Sequence, residues 1–114
     1  MSVNLAPVAL SRTTVTVAPT ETELAIFDTR YTEVLTVQIE NSTGDGQTFS
    51  GTVYRRLTEA DAWAPSNLAD FSPIADGASV VADMDTRGTG FIRIMGSCSG
   101  AGGDINISAR RRAV

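Results

Sequence analysis

The feature that most constrains this chain is the alternation along residues 33–40, which gathers apolar side chains on one face. One face of an extended segment here carries Leu35, Val37 and Ile39, and the other carries Val34, Thr36, Gln38 and Glu40. A period of two residues indicates a strand with one face on a core and the other towards solvent, as in antiparallel sheets. Apolar residues show no helical period elsewhere, and the strand-favouring residues Thr and Val are abundant. The sequence therefore predicts an all-β fold.

Six further segments have the composition of short strands and are separated by residues typical of turns. They cover residues 11–18, 23–28, 48–57, 79–84, 90–95 and 104–109. The turn-forming segment 41–46 predicts a β-hairpin that pairs residues 33–40 with residues 48–57. Short strands at this spacing predict a single antiparallel β-sandwich or jelly roll of about seven to eight strands, with a small barrel as the alternative.

Two segments break the alternation. Residues 58–63 predict a short helical turn, because Thr58 can cap it and Glu59 and Asp61 fall in its first turn. Residues 64–78 predict one long irregular loop.

A chain of 114 residues has room for one domain. We divide it into an N-terminal arm (residues 1–11), a β-sandwich domain (residues 12–109) and a basic C-terminal tail (residues 110–114).

The charge and the reactive side chains exclude several functions. Nine arginines and no lysine stand against thirteen carboxylates, and the formal charge of -4 disfavours nucleic acid as a partner. The chain has no histidine and one cysteine, Cys98, so it lacks the usual general base, the usual zinc ligands and an internal disulfide. We therefore predict a protein that is not an enzyme and that uses no cofactor and no metal.

Patterns that could carry chemistry favour structural interpretations. The glycine-rich segment 96–103 lacks the lysine and the following helix of a phosphate-binding loop, so it predicts a flexible hairpin loop with Cys98 as an accessible thiol. The carboxylates form three close pairs, Glu59/Asp61, Asp70/Asp76 and Asp83/Asp85. Glycosidases use such pairs, but a chain this short leaves little material for a sugar cleft. The last pair also lacks most ligands of a calcium loop. We interpret these carboxylates as parts of solvated turns.

Three segments are candidate protein interfaces. Their residues are Val3, Leu5, Pro7, Val8 and Leu10 in the arm; Trp63, Pro65, Leu68 and Phe71 in the irregular loop; and Arg110, Arg111 and Arg112 in the tail. Aromatic anchors on loops are typical of interface centres, and an uncharged arm can pair with a neighbouring subunit. The alternatives are a loop that closes one end of the sandwich, a disordered terminus and a solvated tail. For Arg55, Arg56 and Arg93 we predict ion pairs with acidic residues of neighbouring strands.

Several segments together form a recognisable style of sequence. These are the uncharged arm MSVNLAPVAL, the strands EVLTVQIEN and TFSGTVYRR, the interrupting segment WAPSNLADFSPIADGAS, and the closing strands GFIRIMGS and DINISARRR. In this combination the chain resembles the small β-sandwich or jelly-roll virion proteins of tailed bacteriophages. The resemblance implies a capsid decoration or cement protein, with a head–tail connector or tail accessory subunit as the alternative, and it implies no catalytic residue.

The function predicted on this basis is that of a non-enzymatic virion structural protein that stabilises the head through protein–protein contacts. Its expected partners are the major capsid protein or other virion subunits, together with further copies of itself. The first ten residues lack a basic segment and a long apolar run, so we expect no signal peptide, no membrane association and synthesis in the host cytoplasm. The second hypothesis is a carbohydrate-binding module with Trp63, Tyr54 or Tyr31 as stacking platforms. An enzyme is the third.

Overall fold

The computed structural model describes the backbone of residues 8–113 and the side chains of residues 11–112. Eight strands make up this part of the chain. They are β1 (Val8–Val17), β2 (Thr22–Asp28), β3 (Thr32–Asn41), β4 (Phe49–Arg56), β5 (Ala64–Ile74), β6 (Ser79–Asp85), β7 (Phe91–Cys98) and β8 (Gly103–Ala113). The all-β prediction is confirmed. Within residues 8–113 no helix has the length and apolar character needed to cross a membrane.

The strands pair as one long antiparallel ribbon that has been rolled up. Along the ribbon β1 pairs with β8, β2 with β7, β3 with β6, and β4 with β5. Rolling adds the pairs β3 with β8 and β4 with β7. The result is a first sheet in the order β1-β8-β3-β6 and a second sheet in the order β2-β7-β4-β5. Eight antiparallel strands wound in this way form a jelly roll.

The hydrophobic core lies between the two sheets and follows from the alternation in each strand. The apolar face of β3 is fully buried, as predicted, and packs with the inward residues of β4, β7 and β8. Gly51 and Gly96 stand opposite each other in β4 and β7, and the ring of Phe49 lies over both. A Cβ atom on Gly51 would come within 2.9 Å of the Phe49 ring and 3.0 Å of the Cβ of Phe71. Glycine at these positions therefore makes room for two aromatic rings in the core.

The predicted hairpin between residues 33–40 and 48–57 is wrong. Both edges of β3 are occupied by β6 and β8, so the chain crosses to the second sheet before β4 begins. Asn41, which is completely buried, holds this crossing: its amide donates to the carbonyls of Gln47 and Ile74 at 2.7 and 2.9 Å. Its side-chain oxygen accepts from the backbone and hydroxyl of Thr43. Local turn signals could not show which distant strand β3 pairs with, because that depends on the whole roll.

The glycine-rich segment 96–103 also crosses between sheets, from β7 to β8, and is not a hairpin loop. The side chain of Gln47 holds it in place. Its oxygen accepts from the backbone N–H groups of Gly100 and Gly102 at 3.1 and 2.9 Å, and its nitrogen donates to the carbonyl of Gly102. The predicted flexible loop is therefore anchored by three hydrogen bonds at one end of the sandwich.

The long irregular loop predicted for residues 64–78 is replaced by the edge strand β5. Its pairing with β4 shifts register twice, between Phe49 and Gly51 and between Gly51 and Val53. These bulges, and prolines that an edge strand tolerates, remove the regular alternation that would have predicted a strand. The predicted helical turn before it is also wrong. The carboxylate of Asp61 accepts from the backbone and hydroxyl of Thr58 in a tight turn without helix.

Both ends of the described chain are in strands. β1 begins at Val8, and Val8 and Leu10 stand opposite Arg111 and Ala109 of β8. The boundary expected at residue 11 therefore falls within β1, and the residues assigned to a basic tail extend β8 to Ala113. The predictions for Val3, Leu5 and Pro7 lie outside the described residues.

Candidate interaction surface

The outer face of the second sheet carries two rows of side chains. In the order β2-β7-β4-β5, the first row is Ile26, Arg93, Tyr54 and Pro65, and the second row begins Asp28, Phe91 and Arg56. The alternating residues Ile92, Ile94 and Val53 are buried in the core. Strand periodicity therefore directs the arginines and aromatic rings of both rows away from the core, although Phe91 is only 7% exposed because arginine side chains cover its ring.

Trp63, immediately before β5, lies over both rows. The guanidinium carbon of Arg56 is 4.2 Å from the centre of its ring, and that of Arg93 is 4.9 Å away. Arg93 also lies 5.4 Å from the ring of Tyr54, and Arg56 lies 5.3 Å from the ring of Phe91. At these distances a guanidinium is attracted by the negative face of an aromatic ring. We call the five residues Tyr54, Arg56, Trp63, Phe91 and Arg93 the arginine–aromatic surface.

Stacking desolvates the two central arginines without giving them acceptors. The Nε atoms of Arg56 and Arg93 are buried and have no hydrogen-bond partner among the described residues. Neither arginine takes part in a salt bridge in that part of the chain. The predicted ion pairs with neighbouring strands are therefore wrong for these two residues. Their cross-strand neighbours, Phe91 and Tyr54, are aromatic rather than acidic.

Other arginines of the fold hold carboxylates. Arg30 contacts Asp28 at 2.6 Å, and Arg87 contacts Asp85 at 2.8 Å. The hydrogen bond from the Arg30 side chain holds the pKa of Asp28 below its usual value. The side chain of Arg87 likewise lowers the pKa of Asp85, to about 2. Of these paired arginines, Arg30 follows β2 of the second sheet and Arg87 follows β6 of the first sheet.

The carboxylates around the arginine–aromatic surface are engaged elsewhere. Asp28 is bound by Arg30, and Glu21 accepts from the Tyr54 hydroxyl at 2.8 Å. This hydrogen bond, with burial, raises the pKa of Tyr54. Asp61 accepts two hydrogen bonds from Thr58. The surface is therefore a pair of stacked guanidinium groups bordered by carboxylates that other groups already hold.

On the outer face of the first sheet, one group of polar side chains is satisfied by mutual hydrogen bonds. Glu40 accepts from Arg12, from Ser42 and, at 3.0 Å, from Asn106. These hydrogen bonds, that of Asn106 foremost, lower the pKa of Glu40. Asn106 in turn accepts from Thr14 at 2.6 Å. This network satisfies the polar groups at one end of the face, whereas the outward arginines at the far end of β8 are exposed.

The predicted interface residues of the segment before and along β5 lie in different environments. Trp63 is partly exposed at the centre of the arginine–aromatic surface, and Pro65 is exposed beside it. Leu68 is half-buried against the core. Phe71 is 0% exposed and belongs to the core, so its prediction as a surface anchor is wrong. Phe71 stands opposite Gly51, between the two register shifts in the pairing of β5 with β4.

The three arginines of the predicted tail lie on β8 in the first sheet. Arg110 and Arg112 are exposed, whereas Arg111 donates to the backbone carbonyl of Asp28 at 2.7 Å and joins the two sheets. Tyr31 is 71% exposed in the turn between β2 and β3, apart from Trp63. Sequence reasoning assigned Arg56 and Arg93 to ion pairs and missed Phe91. The register of β4 against β7, which a single sequence does not fix, places these groups together.

Cys98 lies inside the fold rather than on a loop. It is 5% exposed at the end of β7, and burial raises the pKa of its thiol. The prediction of an accessible thiol is therefore wrong. Among the described residues, no three His, Cys, Asp or Glu side chains are grouped so that they could hold a metal ion.

Solved structures include one with the same fold over nearly the whole of both chains. The SPBc2 prophage-derived protein YomS superposes with a TM-score of 0.53 at 18% identity, covering 97% of this chain and 98% of that chain. A structure of infectious bursal disease virus, Gx strain, gives a TM-score of 0.42 at 12% identity, over 92% of this chain and 33% of that chain. No protein-family model and no curated protein matches the sequence. The chain therefore shares its fold with the prophage-derived protein.

Proposed function

We propose that this chain is a non-enzymatic structural protein of a phage particle, and that it acts as a capsid decoration or cement subunit. The observation that carries the proposal is the jelly-roll likeness to a prophage-derived protein over 97% and 98% of the two chains. The phage-like style of the sequence supports the same assignment. Its partners are the major capsid protein or other virion subunits.

The chemistry of the surface suits this role. A cement subunit works by adding contacts between neighbouring capsid subunits, so it needs a rigid domain with a face that docks. The second sheet offers such a face, with Trp63 as an aromatic anchor between two arginines. Trp, Tyr and Arg are the residues that most often dominate binding energy in interfaces. Repetition over a symmetric shell then strengthens attachment well beyond the affinity of one contact.

The proposal is tested on particles produced from the genome that encodes the chain. The particles are purified by density gradient, and the copy number of the chain relative to the major capsid protein is measured by quantitative mass spectrometry. We expect a fixed ratio set by the capsid lattice, whereas a head–tail subunit would give one ring of copies. Particles from a genome that lacks the gene should release DNA at a lower temperature. Addition of the purified chain should restore the wild-type release temperature. Absence of the chain from particles, with unchanged heat stability, contradicts the proposal.

A further inference from the structure

Two arginines of the arginine–aromatic surface are held ready for a partner that the chain itself does not supply. Arg56 and Arg93 are each in contact with two aromatic rings, and their Nε atoms are already out of water without an acceptor. A buried donor left without an acceptor is unfavourable, so such groups call for a physical explanation. The side-chain freedom that binding normally removes is here already restricted by stacking.

We propose that Arg56 and Arg93 bind the carboxylates of an extended acidic segment of the particle subunit on which this chain sits. The inference rests on the proposed function and names the chemistry of its partner. A guanidinium stacked by its face keeps its terminal N–H groups at its edge, and these match a carboxylate in a bidentate pair. Docking would thus supply acceptors to the terminal nitrogens of guanidinium groups whose Nε atoms are buried without a partner among the described residues.

The spacing of the two arginines determines the spacing of the acidic residues that a docking segment needs. Arg56 stands opposite Phe91, and Arg93 lies two residues further along β7, so the two arginines are diagonal neighbours on one face. Such neighbours are separated by about 7–8 Å in an antiparallel pair. Alternate residues of an extended chain are about 7 Å apart and point to the same side. Acidic residues at alternate positions of an extended segment can therefore meet both arginines at once.

The surrounding charges favour an acidic polypeptide over nucleic acid. The chain has a formal charge of -4, and Glu21, Asp28 and Asp61 border the surface. A continuous phosphate backbone crossing the sheet would meet these carboxylates on both sides, and nucleic-acid sites are instead broadly basic. A short segment with two carboxylates aimed at the two arginines meets less of that repulsion than a continuous polyanion does.

The first test uses the wild-type chain and synthetic peptides. Trp63 is the only tryptophan, so its fluorescence reports on the surface directly. The probe is a short capped peptide that alternates glutamate and threonine, and the control replaces each glutamate with glutamine. We expect a saturable change in emission with the glutamate peptide that weakens as salt is added, and none with the glutamine peptide. Equal responses to the two peptides, or tighter binding of a short oligo-dT strand, overturn the inference. This comparison needs no variant, so it decides even if a variant fails to fold.

The second test uses charge-matched variants. The double variant Arg56→Gln/Arg93→Gln should bind the glutamate peptide about tenfold more weakly, in line with the loss of charge-assisted hydrogen bonds. Arg110→Gln/Arg112→Gln removes two charges from the exposed face of the first sheet and should change binding by less than about twofold. An equal effect of this control overturns the assignment to the second sheet.

The same proteins are then added to particles that lack the chain, and co-sedimentation is measured. If wild type sediments and the folded double variant does not, both the proposed function and the inference are supported. If both sediment equally, the inference fails and the proposed function stands. If wild type does not sediment but binds the glutamate peptide through Arg56 and Arg93, the proposed function fails and carboxylate recognition stands.

Discussion

Replacement of Phe71 by alanine tests whether this residue belongs to the core or is a surface anchor. Phe71 is 0% exposed and stands opposite Gly51 in the pairing of β5 with β4. Gly51 has no side chain with which to fill the space left by the ring, so the cavity can collapse only in part. Removing a buried phenylalanine costs about 3–5 kcal/mol, and we expect the upper part of that range for Phe71→Ala.

The loss of unfolding free energy corresponds to a lower midpoint of thermal unfolding, by an amount that depends on the size of the domain. With an unfolding entropy of about 2.1 cal/mol/K per residue, each kcal/mol lowers the midpoint of thermal unfolding by about 4 °C in a chain of this length. Phe71→Ala should therefore melt about 15–20 °C below wild type. Pro65→Ala is the matched control, because Pro65 is exposed on the same strand, and it should lose about 1 kcal/mol or less.

The assay is urea unfolding followed by circular dichroism and by Trp63 emission. Unfolding of Phe71→Ala should shift to lower urea with an unchanged slope, which shows that stability and not compactness has altered. A loss of less than about 1 kcal/mol, combined with weaker attachment to particles, would refute the placement of Phe71 in the core and restore it as a surface anchor.

Three further predictions address the crossing, the acidic turn and the thiol. Asn41→Ala leaves the carbonyls that Asn41 binds unpaired in a buried site and should cost about 2–4 kcal/mol in urea unfolding, where a change below about 1 kcal/mol would contradict its role. The folded pKa of Asp85, about 2, lies below the ordinary aspartate value of 3.8, so this group stabilises the fold above pH 4 and that contribution fades as the pH falls towards 2. Arg87→Gln should raise the pKa of Asp85 in a carboxyl NMR titration, and an unmoved pKa would contradict the pairing. Cys98 should react with a maleimide much more slowly in the native chain than in urea, since it is buried. Equal rates would place it on the surface.

The sequence predicts strands well where one face is buried and pairing is regular. The alternation in β3 places Leu35, Val37 and Ile39 in the core, and seven of the eight strands fall close to predicted segments. The sequence does not predict β5, because its two register shifts against β4 interrupt the period of two. A strand with bulges and prolines reads as a loop, although its edge position makes both features compatible with a sheet.

Strand partners and the interaction surface could not be predicted in the same way. Adjacent segments such as β3 and β4 suggest a hairpin, but the rolled ribbon pairs each strand with others far along the chain. Trp63 was predicted as an anchor on composition alone. Its neighbours Arg56 and Arg93 come from strands separated in sequence by β5 and β6, and only their register brings them under one ring. The surface is thus a property of the topology rather than of any local motif.

A cryo-electron microscopy map of particles produced from the encoding genome tests the proposed function and the docking face most directly. We expect jelly-roll density on the shell with the outer face of the second sheet, around Trp63, Arg56 and Arg93, against an acidic segment of a capsid subunit. Density that presents this face to solvent and attaches through the first sheet would contradict the assigned surface. A shell without any jelly-roll density of this kind would contradict the function.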